Sequence, residues 1–362
     1  MTLRGSVTAD TFIDAAAHLC GPHAIAIEAG GVLHERKATL AKSNDHPILV
    51  IGATGRHGNT GEYLVARLRE EGQVVRVLAR TRSERTRRLE GLGAEVVVGD
   101  LHDRRTLVPA LDGVDLAYFT YPIAAGVVDA AANYAAAVRD VGRFPRTVVM
   151  SMGPAQKDHP SDLGKAQWLA EQVMEWAGLD LTILRVSALF HQNLQVLHAS
   201  SIRREQRFRN SFGSVKMAWI SGQDAAELGV VALLHPARFT DAVVWPQGFE
   251  MFSHYEVADI LSDVLDTEIT FEPINKHDWH QELVDMSGRV GEEVVNEAMA
   301  QHISSIGHAV SVLGAASLPA DPDALRALIG REPISLRDYL STHRDQFAAD
   351  AVAASMSGRR AT

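Results

Sequence analysis

Three glycines at intervals of three residues, Gly52, Gly55 and Gly58, are the first group in the chain with a spacing suited to chemistry. They lie in HPILVIGATGRHGNTGEYLVARL, residues 46–68, where an apolar run enters a loop and a helix-like pattern follows. Such glycines let a backbone turn tightly and bring its N–H groups to a phosphate, and the next helix N-terminus favours the anion. A purely structural turn has the same spacing, so the surrounding elements must decide.

A basic residue, Arg80, follows the next apolar run, VVRVLA at 74–79. A site that prefers NAD usually places a carboxylate there to accept from the ribose 2′-hydroxyl, whereas a guanidinium suits the 2′-phosphate of NADP. Arg80 therefore predicts a preference for NADP(H). The basic run RTRSERTRR continues to residue 88; most of its other arginines are interpreted as a solvated helix face, with Arg82 as a second candidate contact to the phosphate.

Two histidines and a glutamate, His277, His280 and Glu282, are grouped in KHDWHQE, and such side chains can hold zinc. The chain has no HExxH and no fourth ligand in an obvious place, so we interpret the group as a polar helix face and predict no metal site. It also lacks the GxSxG elbow of α/β-hydrolases and the GK[ST] ending of nucleoside-triphosphate loops.

The elements that position these residues form a regular alternation from residue 47 onward. Apolar runs typical of buried strands occupy 48–52, 74–79, 94–99, 114–119, 146–151 and 181–185, and helix patterns lie between them at 59–71, 83–91, 103–111, 126–141 and 162–177. Repeated βαβ units predict an α/β protein with a Rossmann-type, doubly wound parallel sheet. The glycines then occupy its first βα turn, and we interpret them as the phosphate loop of a dinucleotide site.

After residue 185 the pattern is less regular. It indicates strands in KMAWI (216–220) and DAVVWP (241–246), and helices at 224–234, 253–265 and 323–329. We predict a Rossmann domain at 47–220 and a smaller C-terminal substrate-binding lobe at 221–362 that is interleaved in part with the sheet. Residues 1–46 are an N-terminal extension of unknown role.

Composition restricts the class of protein further. The chain has 362 residues, of which 46% are hydrophobic, enough for a sizeable core. Its single cysteine, Cys20, excludes an internal disulfide and suits a reducing compartment. The net charge of -10 opposes non-specific binding to nucleic acid, and neither a signal peptide nor a membrane span is indicated. We expect a cytoplasmic protein that binds neither nucleic acid nor membrane.

The motifs, taken in order, resemble those of the NmrA-like group of atypical short-chain dehydrogenase/reductases over most of residues 47–345. The matching stretches are VIGATGRHG, VRVLARTRS, GAEVVVGDLHD, LDGVD, WAGLDLTILR with FHQNL, WISGQDAAE and LIGREPISLRDYL. Each stretch alone is weakly specific, and their order is what carries the resemblance. One departure is Val186, because family members often have proline after the arginine of TILR.

The resemblance implies an NADP(H) cofactor and assigns residues to it. Arg80 is expected at the adenosine 2′-phosphate, and Asp100 and Leu101 beside the adenine. The residues expected around the phosphates are Gly52, Thr54, Gly55, Arg56, His57 and Gly58.

The catalytic group is harder to assign, because the Tyr-x-x-x-Lys pair of ordinary short-chain reductases is absent and Lys165 has Ser161 four residues before it. Lys165 is a candidate catalytic residue, with a solvated helix start as the alternative. Tyr121, after the fourth strand, can face the nicotinamide or pack against apolar neighbours. Ser151 ends the fifth strand, where short-chain enzymes keep a substrate-contacting serine, and we group it with the cofactor-binding residues.

Two further candidates follow the sixth strand in FHQNL. His191 is a candidate catalytic residue, with a structural histidine as the alternative, and Asn193 is a candidate substrate contact. Both positions lie where a substrate pocket is expected.

Two functions are consistent with these features. The first is an NADPH-dependent oxidoreductase that reduces a small carbonyl, quinone or enone-type substrate. The second is a non-catalytic NADP(H)-sensing regulator that binds a partner protein. The partners expected are thus a small-molecule substrate and, as further options, a second copy of the chain or a regulatory protein.

Overall fold

A computed structural model describes residues 46–55, 60–315 and 318–349. Nearly all of the predicted N-terminal extension, and the loop residues Arg56, His57 and Gly58, lie outside the described residues. The strands are β1 (Ile48–Ile51), β2 (Val75–Ala79), β3 (Glu95–Val98), β4 (Leu116–Thr120), β5 (Arg146–Met152), β6 (Leu181–Val186), β7 (Leu189–Phe190), β8 (Arg207–Asn210), β9 (Met217–Ile220), β10 (Val243–Val244), β11 (Glu250–Phe252) and β12 (Thr270–Pro273).

The helices alternate with the strands in the first half of the described chain and dominate the second half. They are α1 (Thr60–Glu70), α2 (Glu84–Gly91), α3 (Arg104–Leu111), α4 (Val127–Val141), α5 (Asp162–Trp176), α6 (Ala199–Glu205), α7 (Gly222–Leu234), α8 (His254–Leu265), α9 (Lys276–Val290), α10 (Glu297–Ser311), α11 (Pro322–Ile329), α12 (Leu336–Thr342) and α13 (Arg344–Phe347). A π-helical turn, Leu194–His198, precedes α6, and a 3₁₀ turn, Pro236–Arg238, follows α7. Among the described residues no helix is long and apolar enough to cross a membrane.

The main sheet has seven strands in the order β10-β6-β5-β4-β1-β2-β3, and every pair is parallel. The chain moves from β1 outward through β2 to β3 and then returns to β4 on the other side of β1. This reversal between β1 and β4 is the switch point at which doubly wound sheets bind ligands. The predicted Rossmann-type fold is confirmed.

Alternate residues of each strand enter two separate cores, because successive side chains point to opposite faces of a sheet. Ile48 and Val50 lie in one buried cluster with α1 and α7, whereas Leu49 and Ile51 lie in the other with α3, α4 and α5. Both faces of the sheet are therefore covered. This explains why β1 reads as one continuous apolar run in the sequence.

The second half of the described chain contributes to the sheet and also builds structure beside it. Helix α7 packs on α1 and on strands of the main sheet, and β10 pairs with β6. Two smaller sheets, β11-β9-β7 and β12-β8, are covered by α8, α9 and the last helices. The predicted helix at 253–265 is observed as α8, and the polar helix face predicted in KHDWHQE is part of α9, whereas α10 and the β8–β12 pair were not predicted. The domain boundary at residue 220 stays a prediction.

Candidate active site

The described part of the glycine loop forms a tight turn at the carboxyl end of β1. The N–H of Gly55 donates to the carbonyl of Gly52 over 3.0 Å, and Gly52 has a φ of +88°. A Cβ at Gly52 would lie 2.4 Å from Thr120 Cγ2 and 2.6 Å from Thr120 O. Only glycine fits this position, because both its backbone conformation and its contact with the end of β4 exclude a side chain.

A fourth glycine, Gly61, provides the close contact between the first helix and the loop. A Cβ on Gly61 would lie 2.4 Å from Ala53 Cα and 2.8 Å from Ala53 O, so α1 and the loop touch backbone to backbone. At Gly55, in contrast, an added Cβ would meet only the carbonyl of Gly52, at 3.2 Å. The sequence signal for Gly61 was available in GATGRHGNTG, where it continues the three-residue spacing.

Arg85 also supports the loop, although the sequence assigned most arginines of its run to solvent. Its Nη1 donates to the carbonyls of Thr54, at 2.8 Å, and Gly55, at 3.2 Å. The neighbouring arginines do form exposed ion pairs, Arg82 with Glu90 and Arg87 with Glu84. The solvated interpretation holds for those two, whereas Arg85 joins α2 to the turn.

The basic side chain predicted at the end of β2, that of Arg80, has no partner among the described residues. Arg80 is exposed, and among the described residues it forms no hydrogen bond or ion pair. Asp100, after β3, is held in place: its N–H donates to Thr106 Oγ1 over 2.8 Å, and its Oδ1 accepts from the N–H of His102 over 2.9 Å. Both charges lie near the Tyr121 phenol, whose pKa is raised by burial and lowered in smaller part by Arg80.

Tyr121 connects the ends of β3 and β4. Its hydroxyl donates to the carbonyl of Ala125 over 3.0 Å and lies 2.9 Å from His102 Nε2. Because the phenol proton is used on Ala125, His102 must donate through Nε2–H. The two rings meet edge to face with centroids 6.1 Å apart. The structure thus places Tyr121 beside Arg80 and Asp100, at the edge of the sheet where the adenine contacts were predicted.

Ser151, at the end of β5, is engaged in a buried network. Its hydroxyl donates to Oε1 of Glu171 on α5, and Arg185 on β6 donates to Oε2 of the same carboxylate, through Nε at 3.0 Å and through Nη2. The Glu171 side chain is fully buried, which raises its pKa. Arg185 also stacks on Trp245, with Cζ 4.9 Å from the ring centroid. These side chains fasten α5 to two strand ends.

Lys165 lies on the outside of α5 and forms an ion pair with Asp162, with Nζ 2.7 Å from Oδ1. Its side chain is 46% exposed. The residue at the position of the missing tyrosine, Ser161, caps α5 by accepting from the N–H of Gly164 at 3.2 Å. Its hydroxyl can then donate to Nδ1 of His302, 2.6 Å away, because burial lowers the pKa of His302 to about 3 and keeps the ring neutral.

His191 is completely buried, and neither ring nitrogen has a hydrogen-bond partner among the described residues. It lies between the rings of Trp219 and Tyr339, at centroid distances of 6.5 and 5.4 Å, and burial lowers its pKa to about 3. Asn193 is half-buried and its side chain does not cap the π-helical turn that follows. The structure links neither residue to Ser151 or Lys165 by a described hydrogen bond.

Comparison with known proteins identifies the family. The NmrA-like family model matches residues 44–316. The chain belongs to the NmrA-like family. Over 245 residues it is 31% identical to an NAD(P)H azoreductase of Xenophilus azovorans, an alignment that covers 66% of this chain and 81% of the relative.

Two other proteins are similar to this NmrA-like chain over most of their length. A (4-alkanoyl-5-oxo-2,5-dihydrofuran-3-yl)methyl phosphate reductase of Streptomyces griseus is 28% identical over 304 residues, which cover 84% of this chain and 100% of the relative. The crystal structure of an NADPH-dependent quinone oxidoreductase from Escherichia coli, complexed with NADPH, superposes with a TM-score of 0.66 at 20% identity, covering 82% of this chain and 99% of that one. The latter likeness shows a shared fold.

The late motifs of this NmrA-like protein meet in an ion pair between a buried acid and a partly exposed arginine. Asp224, in WISGQDAAE, is fully buried and lies 2.7 Å from Nη1 of Arg331, in LIGREPISLRDYL. Its other oxygen accepts from Ser221 Oγ at 2.7 Å and from the N–H of Ile334 at 2.9 Å. These motifs therefore attach the segment after α11 to the start of α7. Val186, the departure from the family pattern, extends β6 to its last residue opposite Met152.

Proposed function

We propose that this protein is an NADP(H)-dependent oxidoreductase that reduces a small organic substrate of the carbonyl, quinone or enone type. The observation that carries the proposal is Arg80, an exposed cation without a described ion-pair partner at the end of β2. A guanidinium in this place can bind the 2′-phosphate of NADP(H), whereas a site for NAD(H) usually has a carboxylate here that accepts from the ribose 2′-hydroxyl. The names of the azoreductase and quinone oxidoreductase similar to this chain support the same class of reaction.

The cofactor would lie across the switch point with its pyrophosphate on the glycine turn. The backbone of Gly52, Thr54 and Gly55 would contact the pyrophosphate at the end of β1. A Cβ added to Gly55 would have no described atom closer than 3.2 Å, which leaves room for a ligand beside this residue. Arg56, His57 and Gly58 would complete this contact. Asp100 and Leu101 would border the adenine, with the His102–Tyr121 pair as the wall behind them.

Bound NADPH supplies a hydride, and the substrate also takes up a proton. The Ser151 hydroxyl donates a hydrogen bond to Glu171, Lys165 is paired with Asp162 at the surface, and His191 is shielded from solvent. The Tyr121 hydroxyl donates to the carbonyl of Ala125. None of these groups is thus presented as the tyrosine of an ordinary short-chain reductase is. Hydride transfer to a simple ketone leaves a localised alkoxide that needs an acid, whereas a quinone or enone spreads the charge over a conjugated system. We therefore favour conjugated acceptors, with water as the final proton source.

The test is NADPH oxidation by the purified full chain with a quinone, a cyclic enone and a simple ketone, beside a fluorescence titration of NADPH. We expect binding, and turnover that is fastest with the quinone and slowest with the ketone. Gly55→Val is the control that should not bind NADPH, because the valine side chain would obstruct the pyrophosphate. NADPH binding without turnover on any acceptor would instead support the non-catalytic NADP(H)-sensing regulator.

A further inference from the structure

Arg85, in the first turn of α2, contacts the backbone of the glycine turn. Its Nη1 donates to the carbonyl of Thr54 over 2.8 Å and to the carbonyl of Gly55 over 3.2 Å. The side chain is partly buried. One guanidinium nitrogen therefore holds two successive peptide units of the loop on which the pyrophosphate of the cofactor is expected.

These two hydrogen bonds fix the direction of the peptide units. In a trans peptide the C=O and the N–H point in nearly opposite directions, because the unit is planar. The unit that contains the Thr54 carbonyl follows this rule, since its N–H, on Gly55, donates to the carbonyl of Gly52 over 3.0 Å. A guanidinium that holds carbonyls on one side of a loop therefore turns N–H groups to the other side. Backbone N–H groups are the usual donors to a pyrophosphate in a first βα turn.

Helix α2 holds Arg85 in a fixed position. Ser83 caps the helix and forms a capping box with Thr86, in which the N–H of Ser83 donates to Thr86 Oγ1 over 2.8 Å. Thr86 is completely buried, and Leu89 is 1% exposed in the core beside β1. A donor on such an anchored helix can impose a direction on a loop that it contacts.

The segment that leads into α2 also carries the basic residue expected at the 2′-phosphate. Arg80 precedes Arg85 by five residues. Residues 80–85 therefore bring two guanidiniums towards different phosphates of one cofactor. Arg80 has no partner among the described residues and is available to the ligand itself, whereas Arg85 is bound to the loop.

We propose that Arg85 is a positioning residue for the pyrophosphate of NADP(H), and that it acts through the backbone of the glycine turn. The peptide unit that begins with the Gly55 carbonyl would direct its N–H away from Arg85 and towards the pyrophosphate. Because NADPH and NADH share this group, Arg85 supports the binding of both, and Arg80 distinguishes them. The inference rests on the NADP(H) site of the proposed function.

The test compares two fragments of the cofactor by calorimetry with the purified full chain. ADP contains the pyrophosphate and no 2′-phosphate, whereas adenosine 2′-monophosphate contains the 2′-phosphate and no pyrophosphate. Arg85→Ala should weaken ADP, NADH and NADPH by a common factor of about 10, the lower end for hydrogen bonds from a charged group. It should leave adenosine 2′-monophosphate unchanged. Arg80→Ala should weaken adenosine 2′-monophosphate and NADPH, and leave ADP and NADH unchanged.

Arg87→Ala is the matched control, because Arg87 lies on the same helix, is exposed and forms an ion pair with Glu84. It should bind all four ligands as the natural chain does. Arg85→Lys keeps a charged donor and should recover part of the ADP affinity that Arg85→Ala loses. Urea unfolding shows which variants are folded, and the comparison of the two fragments is made with Arg85→Lys if Arg85→Ala does not fold.

Either of two results with a folded variant would overturn the inference. Unchanged ADP affinity of Arg85→Ala would mean that the two hydrogen bonds have no effect on the pyrophosphate. Equal losses for ADP and adenosine 2′-monophosphate would mean that Arg85 only stabilises the fold around α2. A natural chain that binds none of the four ligands would instead refute the NADP(H) site itself, so the two failures are distinguishable.

Discussion

The two ends of the main sheet's carboxyl edge use polar side chains in opposite ways. At β2 and β3, Arg80 makes no described ion pair, and the local backbone is fixed by short-range contacts such as Asp100 with His102. At β5 and β6, Ser151, Glu171 and Arg185 bind one another in the protein interior. Polar side chains that bind one another stabilise the fold, whereas a charged side chain without an ion-pair partner is available to bind a ligand. We therefore expect ligand recognition at the first end and a structural role at the second.

The largest expected effect concerns buried histidines beyond β6, and it sharpens the contrast with the exposed end of the sheet. Burial lowers the pKa values of His191, His198, His254 and His302 to about 3. In the unfolded chain each takes up a proton near pH 6.5. The stability that these groups contribute is complete above that pH and is lost as the pH falls from about 6.5 towards 3. The expected slope is about 1.4 kcal/mol per pH unit for each histidine.

Urea unfolding at several pH values between about 7.5 and 5, a range that brackets the pKa of histidine in the unfolded chain, measures this slope. His254→Phe should reduce this slope by the contribution of one histidine, about 1.4 kcal/mol per pH unit. The reason is that His254 lies among aromatic rings and its Nδ1 has no hydrogen-bond partner among the described residues. His277→Phe is the control, since His277 is exposed. Identical slopes for the natural chain and a folded His254→Phe variant would contradict the assignment.

The second effect tests whether the network at β5 and β6 is structural. Glu171→Ala leaves the Arg185 guanidinium, 13% exposed, without its carboxylate, and breaking such a pair typically costs about 3–5 kcal/mol of unfolding free energy. Glu175→Ala, an exposed change on the same helix, should cost less than about 0.5 kcal/mol. Denaturant unfolding of both variants decides, and equal losses would remove the special role of the network.

A smaller effect tests the backbone contact under the glycine turn. Gly61→Ala would force a methyl group against the backbone of Ala53, and we expect a loss of about 1–3 kcal/mol together with weaker NADPH binding. Gly288→Ala, on α9, meets no atom within 4 Å and should stabilise by up to about 1 kcal/mol through helix propensity. Thermal unfolding of the pair measures both signs, and a Gly61→Ala variant as stable as Gly288→Ala is incompatible with the described contact.

The elements predicted well from sequence are those fixed by local pattern. Strands β1 to β6 are apolar runs of the right length, and Gly52 and Arg80 have positions set by the ends of these strands. The interior partners were not predictable in this way. Glu171 finds Ser151 twenty residues away, and Asp224 finds Arg331 across the fold, because packing decides which polar groups meet. Helix α9 was noticed only as a polar segment, since its buried contacts come from α10 and the β8 region.

The smallest expected effect concerns Lys165. An exposed pair one helical turn apart contributes little, so Lys165→Ala should change stability by less than about 0.5 kcal/mol, with NADPH affinity unchanged. On the acceptor that gives the fastest NADPH oxidation, kcat should stay close to that of Lys157→Ala, an exposed lysine in the preceding loop. A large fall in kcat with KM unchanged would return Lys165 to the reaction as a group that acts in the transition state.

The central claim, that the open end of the sheet reads the 2′-phosphate of NADP(H), is tested most directly by the affinities of Arg80→Ala for NADPH and NADH. A charge-assisted hydrogen bond is worth about 1.5–3 kcal/mol, which corresponds to roughly 10- to 150-fold. We predict that NADPH binding weakens by this factor, or by less if Arg82 leaves Glu90 to compensate, while NADH binding and the control Arg87→Ala stay nearly unchanged. Equal losses for both cofactors would mean that Arg80 supports the fold and reads no phosphate.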